Sequence, residues 1–332
     1  MADGTGTGGG TWAGGGTWIG GATWIDAVVR LRSSRTPGVL VTLTAVRGHA
    51  PRKAGAKMVV AASATWGSIG GGNLEAMATD RARALIADGA SEPATLSVAL
   101  SDRAPYVHGV QCCGGEASVL LEPLPVVTAI AIFGVGHVGF ELARILARHD
   151  LDLHLIDGRA GQLAAGRLAV LADAVARVRV HEAPVLPEMV LSELPPGTHV
   201  LIMTHDHAED AALCDAAVRL ASASPASSSP ASPGQGGFGS IGLIGSPAKW
   251  ARFRRRLAAE GGLDPAAIER IKTPIGLPDL EGKEPATIAV SVAADLLRTI
   301  ERERASAGRD QTPAGRDRAS AERDRAGSEV PR

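Results

Sequence analysis

The feature that most constrains the fold is a glycine motif placed between an apolar strand and a helix. The motif "GVGHVG" runs from Gly134 to Gly139, follows the apolar residues 129–133 and opens a segment with helical apolar spacing, 137–148. Asp157 ends the next apolar strand, near the roughly 20-residue spacing expected of a ribose-binding acid. This order predicts the opening βαβ unit of a Rossmann-like, doubly wound parallel sheet in an α/β protein.

Two roles are open for this glycine turn. In a nucleotide-binding Rossmann fold, the glycines let backbone amides at a helix N-terminus approach a phosphate, while the acid reaches a ribose hydroxyl. Gly134, Gly136, Gly139 and Asp157 are the candidate contacts of such a ligand. The same glycines also permit close packing of the helix against the strand, which is a purely structural role.

The remaining chain predicts a smaller α/β domain and three low-complexity segments. Strands are predicted from β-branched and apolar runs at 39–46, 58–62, 94–100 and 117–124. A helix is predicted between a glycine loop and Gly89, with Asn73 as its N-cap. The predicted organisation is a disordered Gly/Thr/Trp-rich extension at 1–22, an N-terminal α/β domain at 23–125, a Rossmann-like domain at 126–300 with a Ser/Pro-rich insertion at 222–237, and a disordered charged tail at 301–332.

Composition excludes several function classes. The formal net charge is -1 and no basic stripe lies outside the C-terminal tail, which argues against nucleic acid as a partner. Three cysteines in 332 residues do not make a disulfide framework, so a reducing compartment is favoured. No targeting segment or membrane-spanning apolar run is evident. A cytoplasmic protein without a membrane partner is therefore expected.

A second glycine loop, "GSIGGGNLE" at residues 67–75, precedes the predicted helix and places Glu75 in its first turn. Such a loop forms either an anion-binding nest or a simple tight turn, and the sequence does not separate the two. The preceding segment carries three basic residues, Arg47, Arg52 and Lys57. A phosphate-sized anion is favoured if these residues fold over the loop.

Two adjacent cysteines, Cys112 and Cys113, lie between Gln111 and a Gly-Gly pair. Adjacent cysteines cannot form a disulfide with each other without strain, and no CxxC partner supports a structural zinc site. Thiolates are soft ligands suited to transition metals and sulfur chemistry. The pair is therefore either structurally neutral or a site of such chemistry, whereas Cys214 in a later helix is expected to be a core residue.

The segment "THDHAED" at residues 204–210 follows a predicted strand, at the edge where open α/β sheets bind ligands. His205 and His207 are candidates to ligate a metal or to line a pocket. Thr204 or Asp206 is expected to cap the following helix, as Ser246 is for a later one.

Several segments, in this order, resemble the XdhC branch of the XdhC/CoxI family, the accessory proteins of xanthine dehydrogenase maturation. They are "VRGHAPRKAGAKMVV", "GSIGGGNLE", "QCCGG", "IFGVGHVG", "MTHDHAED", "IGLIGSPAKWARFRRRL" and "TPIGLPDLEGKEPATIAVSVAADLL", within residues 25–298. The resemblance implies a maturation factor that binds the molybdenum cofactor (molybdopterin), supports its sulfuration with a cysteine desulfurase as sulfur source, and inserts it into the molybdenum-binding subunit of xanthine dehydrogenase. It also implies a homodimer.

The resemblance carries over to individual residues. Cys112 and Cys113 match the family's cysteine pair and are candidate ligands of the cofactor's molybdenum or carriers of sulfur. The matching glycines are Gly70, Gly71 and Gly72, followed by Glu75, in the first loop, and Gly134, Gly136 and Gly139 in the Rossmann turn. The other candidate cofactor contacts are Gln111, Arg52, Lys57, Asp157, His205 and His207. His49 stands where the family usually has Ser and Asn73 where it often has His.

Two other functions are weighed against the chaperone. An NAD(P)-dependent oxidoreductase is supported by the glycine turn and Asp157, with a nucleotide at the Rossmann site. It lacks a clear catalytic Tyr/Lys or His/Asp constellation, because Tyr106 is the only tyrosine. A dimeric scaffold that docks onto dehydrogenase subunits needs no cofactor.

Overall fold

The computed structural model describes residues 23–48, 51–99, 115–223 and 237–309. The chain divides into two compact units, and the boundary in the sequence falls between Val126 and Val127. Each unit carries its own sheet and its own apolar core. No helix in the described ranges is long and apolar enough to cross a membrane.

The first unit is built on an antiparallel sheet. Its elements are α1 (Trp24–Ser34), β1 (Gly38–Arg47), β2 (Lys57–Val60), β3 (Thr65–Gly67), α2 (Gly72–Ala87), β4 (Ala94–Ala99) and β5 (Glu116–Leu124). The described strands are ordered β3-β2-β1-β5-β4. Side chains alternate across β1, so Val39 and Val41 pack with α2 whereas Leu40 packs with α1. The predicted small α/β domain is therefore present, with one helix on each face of its sheet.

The ends of α2 correct one prediction and confirm another. Asn73 is not the N-cap, because the helix begins at Gly72 and Gly71 caps it in a conformation with φ of 72° that favours glycine. The predicted stop at Gly89 is confirmed, since Gly89 has a φ of 63° and follows the C-cap Asp88. The amide of Ala90 donates to the carbonyl of Leu85, which completes a Schellman motif.

The second unit is built on a parallel sheet. Its elements are β6 (Ala129–Phe133), α3 (His137–Leu146), β7 (Asp152–Asp157), α4 (Ala165–Leu168), β8 (Arg177–Glu182), β9 (His199–Ile202), α5 (His207–Ala223), β10 (Ser240–Leu243), α6 (Pro247–Ala259), α7 (Pro265–Ile268), β11 (Ile271–Lys272) and α8 (Pro285–Arg309). The described strands are ordered β11-β10-β9-β6-β7-β8. Helices α3 and α8 cover one face, and α5, α6 and α7 cover the other. The predicted Rossmann-like doubly wound domain is confirmed.

The C-terminal boundary differs from the prediction. The sequence predicts a disordered tail or a frayed helix extension from residue 301, and helix α8 continues to Arg309, so residues 301–309 are the helix extension. The helix is held because Val292, Leu296 and Ile300 are buried against the α3 layer. Residues 310–332, the extension 1–22 and residues 224–236 of the predicted insertion lie outside the described ranges.

A buried histidine gives the second unit a pH-dependent stability. His199 is 2% exposed, with Nδ1 2.9 Å from Ser240 Oγ and Nε2 3.5 Å from a Glu303 carboxylate oxygen. Burial lowers the pKa of His199 from 6.5 to about 4, so the folded state holds the neutral ring while the unfolded chain binds a proton. Stability from this group is complete above pH 6.5 and is lost as the pH falls towards 4.

Between pH 7 and pH 4, His199 should account for up to about 3 kcal/mol of the fall in the free energy of unfolding. We expect a His199→Asn variant to lack this contribution. The measurement is urea denaturation of both proteins at several values between pH 4 and 7. A His149→Gln variant at an exposed histidine is the matched control and should follow the wild type. Parallel curves for wild type and His199→Asn would contradict the assignment.

Candidate functional site

In the second unit, the edge at which open α/β sheets bind ligands lies where β6 and β9 neighbour each other. The chain continues from β6 to β7 on one side, whereas β10 lies beyond β9 on the other, so this is the topological switch point of the sheet. The turn after β6 holds Gly134 and Gly136, and the loop after β9 begins at Met203. A Cβ on Gly134 would lie 2.5 Å from the Met203 carbonyl oxygen. The turn therefore sits directly against the β9 loop and needs glycine for packing.

Asp157, the acid predicted to bind ribose, is instead hydrogen-bonded to Arg159, two residues later in the chain. Asp157 Oδ1 accepts from the amide and Nε of Arg159, both at 2.9 Å, and Oδ2 accepts from Arg159 Nη2 at 2.7 Å and from the Val135 amide at 2.8 Å. The Asp157 side chain is 3% exposed. Burial alone would raise the Asp157 pKa, but the hydrogen bonds from Arg159 and Val135 outweigh it and the pKa lies below its ordinary value.

A second arginine holds the backbone of the glycine turn. Arg167 Nη1 donates to the carbonyls of Val135 at 2.7 Å and Gln162 at 2.6 Å, and Nη2 donates to Gly136 at 3.2 Å. Its guanidinium also lies 4.0 Å from the ring centroid of Phe140, a cation–π contact. The turn is thus fixed from one side by Asp157 and from the other by Arg167, and both arginines bring positive charge to it.

The loop and helix after β9 add further charged groups. The Asp206 carboxylate accepts from the Ala208 amide at 2.6 Å, which confirms it as a cap of α5. His205 and His207 are exposed, and the His207 ring meets Phe253 edge-on. Glu209 is half-buried, and its pKa is raised first by burial and then by the nearby Asp157 charge. The histidines therefore stand at the ligand edge, and their role in binding stays a prediction.

A buried ion pair, Asp210 with Lys249, stabilises the loop after β9. Asp210 is fully buried and accepts from Lys249 Nζ at 2.5 Å and from the Thr204 amide and hydroxyl at 3.1 and 2.8 Å. Lys249 also donates to the Ile244 carbonyl at 3.0 Å, and Ser246 caps the same helix, α6, as predicted. The contact ties the loop after β9 to the helix after β10. Cys214 is fully buried nearby, as predicted for a core residue, and burial raises the pKa of its thiol to about 12.

The glycine loop of the first unit already holds a carboxylate. A single oxygen of Glu75 accepts from the Ser68 hydroxyl at 2.6 Å and from the amides of Gly71 and Ile69 at 3.0 and 3.2 Å. The loop therefore has the form of an anion nest, and the chain's own glutamate occupies it. A phosphate would have to compete with Glu75 for these donors.

The basic residues before this loop take different positions. A Cβ on Gly70 would lie 2.6 Å from Pro51 Cγ and 3.5 Å from Arg52 Cγ, so the segment with Arg52 does lie over the loop. Lys57 instead donates to Thr42 Oγ1 at 2.8 Å and lies 5.6 Å from the Trp24 ring centroid. The Arg52 side chain is thus placed beside the glycine loop, whereas the Lys57 amine contacts Thr42 and the Arg47 guanidinium lies 3.8 Å from a Glu116 carboxylate oxygen.

The predicted thiol site, Cys112 and Cys113 with Gln111, lies outside the described residues, as does His49. In the ranges that are described, no group of three or more His, Cys, Asp or Glu side chains could hold a metal ion. The role of the cysteine pair stays a prediction that rests on sequence.

Sequence reasoning missed Arg159, Arg167 and the Asp210–Lys249 pair. One signal for Arg159 was present, since the strand-ending acid is followed two residues later by arginine in "IDGR". The contacts of Arg167 and Lys249 join residues 31 and 39 positions apart in the chain, and no local pattern indicates them.

Family models match residues in both compact units of the chain. A family model described as the XdhC Rossmann domain matches residues 130–296, which is half of the chain, and a model described as the XdhC and CoxI family matches residues 31–98. Among solved structures, a xanthine dehydrogenase from Bacillus halodurans matches with 19% identity and a TM-score of 0.41, over 88% of this chain and 99% of that one. No curated protein matches the chain.

Proposed function

The chain belongs to the XdhC and CoxI family, which supports a role in xanthine dehydrogenase maturation, and within this role we propose that it is a carrier of the molybdenum cofactor. In this proposal the protein binds molybdopterin, supports its sulfuration with a cysteine desulfurase as sulfur donor, and inserts the product into xanthine dehydrogenase. A homodimer in the cytoplasm is part of the same proposal.

The observation that carries the proposal is the glycine turn of the second unit with the arginine beside it. Arg159 is 35% exposed beside the turn, and its Nη2 lies 3.7 Å from where a Cβ on Gly136 would stand. Gly136 caps α3 without a side-chain hydrogen bond, so no cap side chain takes the amides of the first helical turn. Oriented amides and an arginine together favour a phosphate group.

The residues at this turn fit the phosphate end of molybdopterin. Arg159 and the first turn of α3 would hold that phosphate, while Arg167 keeps the turn rigid. The cysteines Cys112 and Cys113 supply soft sulfur donors that suit the metal end or the transient carriage of sulfur. When bound, the cofactor supplies the molybdenum centre whose terminal sulfido ligand the recipient enzyme uses.

The alternative of an NAD(P)-dependent oxidoreductase is supported by the glycine turn at the switch point. Two observations weigh against it. The Asp157 carboxylate is already saturated by Arg159 and Val135, which disfavours the plain ribose of NAD, and the sequence shows no clear catalytic Tyr/Lys or His/Asp constellation. The chaperone therefore accounts for more of the site.

We expect a double variant, Cys112→Ser with Cys113→Ser, to lose most of the sulfurated cofactor that the wild type carries, because serine is a hard and weakly ligating replacement for a thiolate. Cofactor is measured as the fluorescent pterin released on oxidation, and sulfuration as the activation of apo-xanthine dehydrogenase. Cys214→Ala, at a buried cysteine, is the control and should keep both. Unchanged pterin and unchanged activation in the double variant would disprove the role of the pair.

A further inference from the structure

We propose that Arg159 determines the ligand specificity of the Rossmann turn. Its hydrogen bonds to Asp157 keep ribose hydroxyls from that carboxylate, and its remaining N–H groups can donate to a phosphate monoester instead. The inference deepens the proposed function, and it rests on that function only if the ligand is molybdopterin. The two possible ligands share the phosphate monoester, which is the terminal group of molybdopterin or the 2′-phosphate of NADP.

The first step concerns the acid. In dinucleotide sites of this fold, the acid at the end of the second strand accepts hydrogen bonds from the ribose 2′-hydroxyl. Both oxygens of Asp157 are occupied by Arg159, and Oδ2 also by the amide of Val135. A ribose hydroxyl would have to displace a charge-assisted hydrogen bond, which is about twice as strong as a neutral one. The site therefore disfavours a plain ribose.

The second step concerns the arginine. Nε and Nη2 of Arg159 are directed to Asp157, and a guanidinium has five N–H donors, so Nη1 and one N–H of Nη2 are left for another acceptor. The Asp157 pair fixes the plane of the group, which lowers the entropy lost when a ligand binds. The guanidinium lies beside Gly136, where a phosphate at α3 would be seated. The geometry thus replaces recognition of a ribose diol by recognition of a phosphate.

The charged groups around the Asp157–Arg159 pair are compatible with recognition of a phosphate in place of a ribose hydroxyl. Arg159 faces Asp157 and Glu209, and Arg167 faces Asp157 and Arg159, while His205, Asp206 and Asp210 also lie near Glu209. Asp157 is buried and fully engaged, and Glu209 is half-buried with a raised pKa. The Arg159 side chain is 35% exposed and pairs with Asp157, and Arg167 is likewise partly buried.

The test is calorimetric titration of NAD+ and NADP+ into the wild type, Arg159→Ala and Arg159→Lys. We expect the wild type to bind NADP+ at least tenfold more tightly than NAD+. Arg159→Ala should lose that preference and gain about tenfold in NAD+ affinity, because the freed Asp157 can accept from the ribose. Arg159→Lys keeps a charge without the fork and should fall between the two.

A wild type without preference for NADP+, or an Arg159→Ala variant that gains no NAD+ affinity, would overturn the inference. Far-UV circular dichroism and thermal unfolding confirm that each variant folds. The pterin carried by each purified protein then identifies the ligand: loss in Arg159→Ala assigns the phosphate to molybdopterin, and retention assigns it to the nucleotide. Absence of pterin from the wild type would refute the proposed function alone, since the nucleotide titrations do not depend on it.

Discussion

A Gly134→Ala variant is expected to lose about 3–5 kcal/mol of folding stability. Gly134 has a φ of 96°, which alanine rarely adopts, and a Cβ would lie 2.5 Å from the Met203 carbonyl oxygen and 2.7 Å from Thr204 Cα. These are backbone atoms of the adjacent loop and cannot rotate away. We therefore expect the added methyl group to push the turn away from the loop after β9. Urea denaturation of the intact chain measures the loss, and hydrogen exchange in β6 and β9 shows where it falls.

Gly136→Ala is the matched control. A Cβ at this position would meet only Arg159 Nη2 at 3.7 Å, an ordinary contact with a flexible side chain. We expect it to lose no more than about 1 kcal/mol, because alanine is a poorer N-cap for α3 than glycine. Equal losses in the two variants would show that the contact between the turn and the β9 loop is not what requires glycine.

Lys249→Met is expected to cost about 3–5 kcal/mol, because it leaves the Asp210 charge buried without its partner. Asp210 is fully buried and the Lys249 side chain is 12% exposed, so neither group is screened well by water. The urea midpoint and slope of the variant measure the loss. The loop after β9, which Asp210 fixes through Thr204, should exchange its amides faster.

Two further variants separate the buried pair from ion pairs in general. Replacing both partners, Asp210→Leu with Lys249→Met, should recover part of the loss, since no charge then stays buried but the Thr204 amide loses its acceptor. Arg256→Met breaks an exposed pair with Glu260 and should cost less than about 1 kcal/mol. A Lys249→Met variant no less stable than Arg256→Met would contradict the assignment of a stabilising buried contact.

The sequence was sufficient for the architecture of the second unit because its signals are local. Strands β6, β7 and β9 are buried on both faces and therefore read as short continuous apolar runs, and the glycine motif marks where the first helix begins. The edge strand β8 was missed, since its sequence "RVRVHE" alternates charge with apolar residues on a partly exposed strand. The helical residues 301–309 were not separated from the charged tail, because the last turns of α8 are charged and only Ile300 marks the buried face.

The candidate site was harder to predict because its decisive contacts depend on placement in space. The sequence identified Asp157 as an acid at the correct strand end, but not that Arg159 engages it. It identified the Gly70–Gly72 loop as an anion nest or a turn, but not that Glu75 fills the nest itself. It placed Asn73 as a cap, but the positive φ of Gly71 moved the cap by two residues.

The most direct test of the central claim is the identity of the ligand in the purified wild-type protein. The full chain is produced in a host that makes the molybdenum cofactor and is then oxidised, and the released pterin is measured by fluorescence beside the molybdenum content. The proposal predicts a phosphorylated pterin and molybdenum in equal amounts. Bound nicotinamide dinucleotide with turnover and no pterin would point to an oxidoreductase instead, and neither ligand would point to a scaffold; either result would contradict the cofactor-carrier function.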